Sequence, residues 1–275
     1  SHTSRAQNDT ATCAHGPNDI MTDASDTESV SGRAPLFPPT PGPREIFRRP
    51  FPHQKGRPLT RFLTKAFLAL YRNRYVSIDG LEHVQPANDP FILVANHNQR
   101  PEVVLIPAAL FFSRDGKPIH FMADWNFKLI PGVAILYSCG QIITVDRKSA
   151  KPKFLNVFRP MLTDKLPAGK RAEERLNAGS SIGIYPEGKI NRDPDHLLKG
   201  QPGAAQLSLK TGAAIVPMGI RFPNLAPGEL IHDRARMSLT IGAPMKPPRA
   251  ESGSNRGSNR GSNRGLLRSW HQSIM

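Results

Sequence analysis

The 275-residue sequence predicts an α/β fold, with a single domain whose largely parallel mixed sheet is flanked by helices and preceded by an amphipathic N-terminal helix. Three observations predict it. Short apolar segments at 75–78, 91–95, 119–122, 142–145, 181–185, 215–220 and 237–241 read as strands. Stretches with helical character, at 101–112, 151–164, 171–178 and 202–211, stand between them. Short apolar strands separated by helices build a mostly parallel sheet. Finally, His97, Asp146-Arg147 and Glu187-Gly188 all fall just beyond strand carboxyl ends, where such sheets collect their functional groups.

In chain order, residues 1–56 show no apolar periodicity. They are polar at first and then proline-rich, so we expect a disordered or extended tail. Order begins with the domain at 57–248. Its first piece, 57–74, carries Leu59, Phe62, Leu63, Ala66, Phe67, Leu70 and Tyr71 on one helical stripe, with Arg61, Lys65, Arg72 and Arg74 off it. A basic amphipathic helix of this kind suits a membrane interface. The same stripe also suits packing on the chain's own core, and the pattern leaves both open. Beyond Pro248, residues 249–275 open on repeated Gly-Ser-Asn-Arg units and read as a flexible, low-complexity linker and tail.

The formal net charge of +15 points to an anionic partner: nucleic acid, acidic lipid headgroups or a phosphorylated substrate. No aromatic stacking platform or nucleic-acid module accompanies the charge, so nucleic acid is not expected. The two cysteines, Cys13 and Cys139, offer neither a disulfide framework nor metal-ligand spacing, which fits a reducing compartment and no metal site. The longest apolar run, residues 103–112, is about half of the ~20 residues a membrane span needs. We therefore expect peripheral attachment at the cytoplasmic face.

Residues 91–102 read as strand, loop and helix. Pro101 suits a first helical turn, and Glu102 suits the positive end of that helix. A loop histidine beside a carboxylate is the minimal general base, because imidazole is largely neutral at neutral pH and able to accept a proton. Taken alone, the pair reads equally as a loop histidine next to a helix-capping glutamate. Gly179-Ser180-Ser181-Ile182-Gly183 matches the serine-hydrolase G-x-S-x-G, but that elbow needs a strand before its serine and a helix after it. Here the order is reversed.

Six blocks in order carry more weight: Val76-Ser77-Ile78-Asp79-Gly80-Leu81-Glu82; Asn96-His97 with Glu102; Gly140 to Asp146-Arg147; Tyr185-Pro186-Glu187-Gly188-Lys189; Lys199-Gly200 with Gly203-Ala204; and Ile215-Val216-Pro217-Met218-Gly219. Together they resemble the glycerolipid acyltransferase family, over about 75–221. The resemblance implies that His97 deprotonates the acceptor hydroxyl for attack on an acyl thioester, and that Glu102 orients His97. It also implies that Arg147, Glu187 and Gly188 bind the acceptor's glycerol phosphate and that Pro217 shapes the site. Acyl-CoA or an acyl carrier protein is the implied co-substrate, with no further cofactor. The implied acceptor is a lysophospholipid, 1-acyl-glycerol-3-phosphate by default.

Three departures accompany the likeness. Glu102 stands where the family usually has Asp. Ile190 occupies the usual Arg position of the third block, which leaves Lys189, Arg192 or Lys199 to supply the charge. Residues 159–171 look like an insertion, a lid or a surface addition. These leave two alternatives beside the default: the same chemistry on another lysophospholipid or a glycolipid, or a non-catalytic membrane lipid-binding protein on the same fold.

Overall fold

The computed structural model describes residues 41–54, 56–130, 133–248 and 259–275. Its strands are β1 (Tyr75–Asp79), β2 (Phe91–Ala95), β3 (His120–Asp124), β4 (Ile143–Val145), β5 (Ile182–Ile184), β6 (Ala214–Arg221) and β7 (Met237–Ile241). They form one sheet in the order β1-β7-β6-β2-β5-β3-β4. Every pairing is parallel except β6 with β7. The carboxyl ends of β2, β3, β4, β5 and β6 therefore share one edge.

The sheet is covered on both faces, which is why β2 is apolar without alternation and buried at all five residues. Phe91, Leu93 and Ala95 meet α3 (Glu102–Ser113) in one core layer. Ile92 and Val94 meet α6 (Ala168–Asn177) and α7 (Gly203–Thr211) in the other. Between β5 and its neighbour, Phe121 lies so close over Gly183 that a Cβ there would come within 2.6 Å of the ring.

The fold starts earlier than expected. Helix α1 (Pro43–Arg48) buries Ile46, and Phe51 packs edge-on against Phe111 and Phe112 of α3. Gln54 Nε2 donates to the Gly116 carbonyl at 3.0 Å. Two isolated apolar anchors among prolines give no period to detect, yet each fills a core site. Residues 1–40 lie outside the described residues.

It also ends later. Helix α8 (Asn259–Ile274) begins within the repeats and buries Trp270 in the second core layer, with Leu267 and Ile274 packed beside it. Their spacing is helical, but the three copies of Gly-Ser-Asn-Arg before them conceal it. Of the expected linker, 249–258 lies outside the described residues.

Two interior corrections follow from local chemistry. The expected helix at 151–164 is a 3-10 turn at Lys153–Phe158 and a short α5 (Arg159–Leu162), because Pro152 and Pro160 interrupt the hydrogen-bond ladder. Helix α4 (Val133–Cys139), at which the sequence analysis places no element, forms after β3.

Helix α2 (Pro58–Tyr71) forms as expected, with Phe67 of its stripe packed on the core and much of the rest turned outward. Thr64 and Leu68 are buried, whereas Leu59, Phe62 and Leu70 are 64%, 59% and 74% exposed. Part of its basic face is already engaged. Lys65 Nζ caps α1 through the carbonyls of Phe47 and Arg49, at 2.8 and 2.6 Å, and Arg74 turns inward. No helix among the described residues is long and apolar enough to cross a membrane.

Candidate active site

The site forms where β2 ends. Asn96 locks the turn, accepting from the Ile220 amide at 2.7 Å and donating to the Ile220 carbonyl at 3.0 Å. His97 follows, mostly buried. Its Nδ1 lies 2.9 Å from Glu102 Oε2. The Glu102 carboxylate also accepts the Asn98 amide at 2.9 Å and the Gln99 amide at 3.0 Å, and it is fully buried in the first turn of α3. The longer glutamate thus reaches its partner at ordinary distance: the loop has absorbed the extra methylene. Burial pushes the Glu102 carboxyl above its ordinary range, and the bonds from His97, Asn98 and Gln99 pull part of the way back.

An aromatic ladder seats the imidazole. Tyr185 lies 4.6 Å from the His97 ring and 5.7 Å from Phe121, so the space over Gly183 that admits Phe121 indirectly sets the ring of His97. With Nδ1 facing a carboxylate, Nε2 is the nitrogen left to accept a proton.

Glu187 is engaged within the protein. Its oxygens accept the His97 amide at 3.2 Å and the Leu198 amide at 3.0 Å. This buried carboxylate braces the loop that carries His97. Arg192 is likewise engaged, holding Asp233 at 2.5 Å and the Ile231 carbonyl at 2.9 Å. Gly188 has φ +65, a conformation that favours glycine, and its carbonyl accepts Lys148 Nζ at 3.0 Å. Lys148 also pairs with Asp124 at 3.3 Å, so the loops after β3, β4 and β5 are tied together. Arg147, Lys189 and Lys199 are exposed and make no hydrogen bond or ion pair with another described residue. Pro217 sits inside β6 opposite Val94, and a Cβ on Gly242 would meet its ring at 2.9 Å. Its place is in the sheet, not among the polar groups around His97.

The residues that support the His97 loop carry no signal of that role in the sequence. Arg74 Nη2 donates to Gln99 Oε1 at 2.7 Å and to the carbonyls of Asp233 and Ala235. Asn191 donates its amide to the His97 carbonyl at 2.7 Å, and its own carbonyl accepts Asn98 Nδ2 at 3.0 Å. Such partners, tens of residues apart, leave no local signal. Among the described residues no cluster of His, Cys, Asp and Glu is placed to hold a metal ion.

Along α3, from Val103 onward, runs a shallow apolar groove that is open to solvent in part. Val103, Val104 and Pro107 form its floor, Thr64 and Phe67 of α2 one wall, and Tyr137 and Cys139 of α4 the other.

Fold and site together place a buried histidine–carboxylate pair at the carboxyl edge of an α/β sheet. The Acyltransferase family model matches residues 75–221, more than half of the chain, and the chain belongs to that family. It is 24% identical over 198 residues to the chloroplastic 1-acyl-sn-glycerol-3-phosphate acyltransferase of Arabidopsis thaliana, across 70% of this chain and 48% of that protein. It is 26% identical over 149 residues to the 1-acyl-sn-glycerol-3-phosphate acyltransferase of Borreliella burgdorferi, across 54% and 52%. The chain thus spans about half the length of the curated relatives it matches. The solved 1-acyl-sn-glycerophosphate acyltransferase of Thermotoga maritima superimposes with a TM-score of 0.47 at 19% identity, covering 78% of this chain and 79% of that one.

Proposed function

We propose that this chain transfers a fatty acyl group from acyl-CoA or an acyl carrier protein to the free hydroxyl of 1-acyl-glycerol-3-phosphate, giving phosphatidic acid. The observation that carries the reading is the buried pair of His97 Nδ1 and Glu102 at 2.9 Å, which leaves Nε2 as the proton acceptor. Nε2 takes the hydroxyl proton as the oxygen attacks the thioester carbonyl. The tetrahedral intermediate then expels the thiolate, which takes the proton back. A positioned base of this kind contributes about 10²–10⁴-fold, and no covalent acyl-enzyme is required. The groove along α3, the helix that carries Glu102 in its first turn, offers the fatty chain an apolar wall.

The acceptor's phosphate falls to Arg147, Lys189 and Lys199, the exposed cations past the ends of β4 and β5, while Glu187 and Gly188 shape the loop that presents them. Because Ile190 replaces a family arginine and Arg192 is held by Asp233, a lysophospholipid with another headgroup is the second acceptor reading. The outward apolar arc of α2 supports attachment to an anionic membrane surface. The relatives' names supply the substrate class, acylglycerol phosphate.

The test is acyl transfer from a long-chain acyl-CoA to lysophosphatidate by wild type and His97→Ala side by side. Turnover abolished by the substitution supports both reaction and base. Silence from wild type with acyl-CoA and acyl carrier protein donors, over a panel of acceptors, would favour the non-catalytic lipid-binding reading. Turnover that survives His97→Ala removes the proposed base.

A further inference from the structure

We infer that the segment 153–166 is a second bilayer-seated element, which acts with α2 to hold the mouth of the α3 groove against an anionic lipid surface. It holds apolar side chains out to an unusual degree. Phe154 and Val157 are 71% exposed, Met161 is 82% and Phe158 is 44% exposed. Lone exposed apolar residues are ordinary, but a contiguous set marks a surface that something covers.

The segment is held in this pose. Asn156 accepts the Ala150 amide at 2.9 Å and donates to the Lys153 carbonyl at 2.6 Å. Arg159 Nε holds Asp146 at 2.6 Å, and Lys128 Nζ holds the Leu162 carbonyl at 2.9 Å. Polar anchoring on the inner side therefore fixes the apolar side outward. Ile130, just before α4, and Ile135 within α4, 49% and 51% exposed, carry the apolar character toward the groove. Helix α4 is one wall of that groove and α2, with its own exposed Leu59, Phe62 and Leu70, is the other.

Charge complementarity selects the partner. Lys151, Lys153, Lys165 and Lys170 rim the segment in exposed positions, and its exposed acid, Asp164, is taken by Arg171. Apolar side chains inside a cationic rim match anionic headgroups over acyl chains, at about 1 kcal/mol per well-placed cation in the general case. A second copy of this chain would set the same positive rim against itself. The biological purpose rests on the acyltransferase reading, since a groove for fatty chains gains from opening at their source.

The experiment is sedimentation of the full chain with vesicles of phosphatidylglycerol and phosphatidylcholine, comparing wild type with the triple variant Phe154→Ser, Val157→Ser, Met161→Ser. All three positions are exposed, so the fold is preserved, and circular dichroism checks this. We expect the partition coefficient to fall at least ~10-fold, about 1.4 kcal/mol, with acyl transfer to a freely soluble short-chain lysophosphatidate unchanged. Equal partition of the two proteins, or a wild type that ignores the vesicles, overturns the inference. So does a wild-type dimer by light scattering that the triple variant dissolves, since the patch would then be a self-interface. Vesicle binding is read without an acyl donor. A wild type that binds through this patch but transfers no acyl group would therefore end the enzymatic reading and leave this one standing.

Discussion

Glu102 makes three hydrogen bonds from one buried carboxylate, and substitutions there separate geometry from charge. Glu102→Asp restores the residue usual in the family but withdraws the oxygens from a loop built around the longer side chain. We expect turnover to fall by about 10²-fold, the cost of a ~1 Å misplacement; a rise would mean the loop re-forms around Asp. Glu102→Gln probes the charge. Burial raises the carboxyl in the folded protein, so its contribution to stability is full below the ordinary carboxylate range and declines as pH rises through the folded value. The melting temperature of the Gln variant should therefore gain on that of wild type as pH rises above the ordinary carboxylate range, even as its activity is lost. His97 and Glu102 are legible in the sequence because they lie five apart, within one strand–loop–helix unit. Arg74, Gln99 and Asn191 are not, because Arg74 meets Gln99 across 25 residues and Asn191 meets Asn98 across 93.

At the scale of elements, position follows from what each strand or helix has beside it. Gly183 in β5 makes room for Phe121, and Phe121 with Tyr185 seats the imidazole. Gly183→Ala should displace that ladder and lower kcat for acyl transfer with little change in KM; partial unfolding would give the same split, so kcat is taken per folded molecule, with circular dichroism and active-enzyme titration fixing that number. Helix α2 offers a contrast between its two sides. Leu68→Ala should cost about 2–5 kcal/mol in chemical denaturation, since that side chain is buried. Leu59→Ser, Phe62→Ser and Leu70→Ser together should leave stability nearly untouched and weaken vesicle binding. The strand pattern is legible because each strand is a short apolar run between turn residues. The orientation of α2 is not, because its apolar arc and its core-facing residues share one helix and periodicity cannot say which side the core takes.

For the whole molecule, the sheet's single antiparallel junction, β6 with β7, leaves the carboxyl ends of β1 and β7 on the edge away from His97. Its termini matter more than composition suggests. Trp270 is buried and packs α8 onto the second core layer. Trp270→Ala should therefore cost about 3 kcal/mol in denaturant titration; no change would return α8 to the status of a solvated tail. His271 Nε2 lies 3.1 Å from the Gly200 carbonyl, two residues from the Leu198 amide that holds Glu187. Low-complexity repeats hide this helix in the sequence, as prolines hide α1. Fold class and strand order along the chain survive such masking, and domain limits do not.

Cys139 lines the groove beside α3 and takes no part in the proposed chemistry. It is a built-in reporter. In a Cys13→Ser background, the rate at which a small thiol-reactive dye labels Cys139 measures how open that groove is. A long-chain acyl-CoA should slow labelling in proportion to occupancy, whereas coenzyme A alone should not. Equal rates with and without the acyl chain would move its seat elsewhere on the molecule.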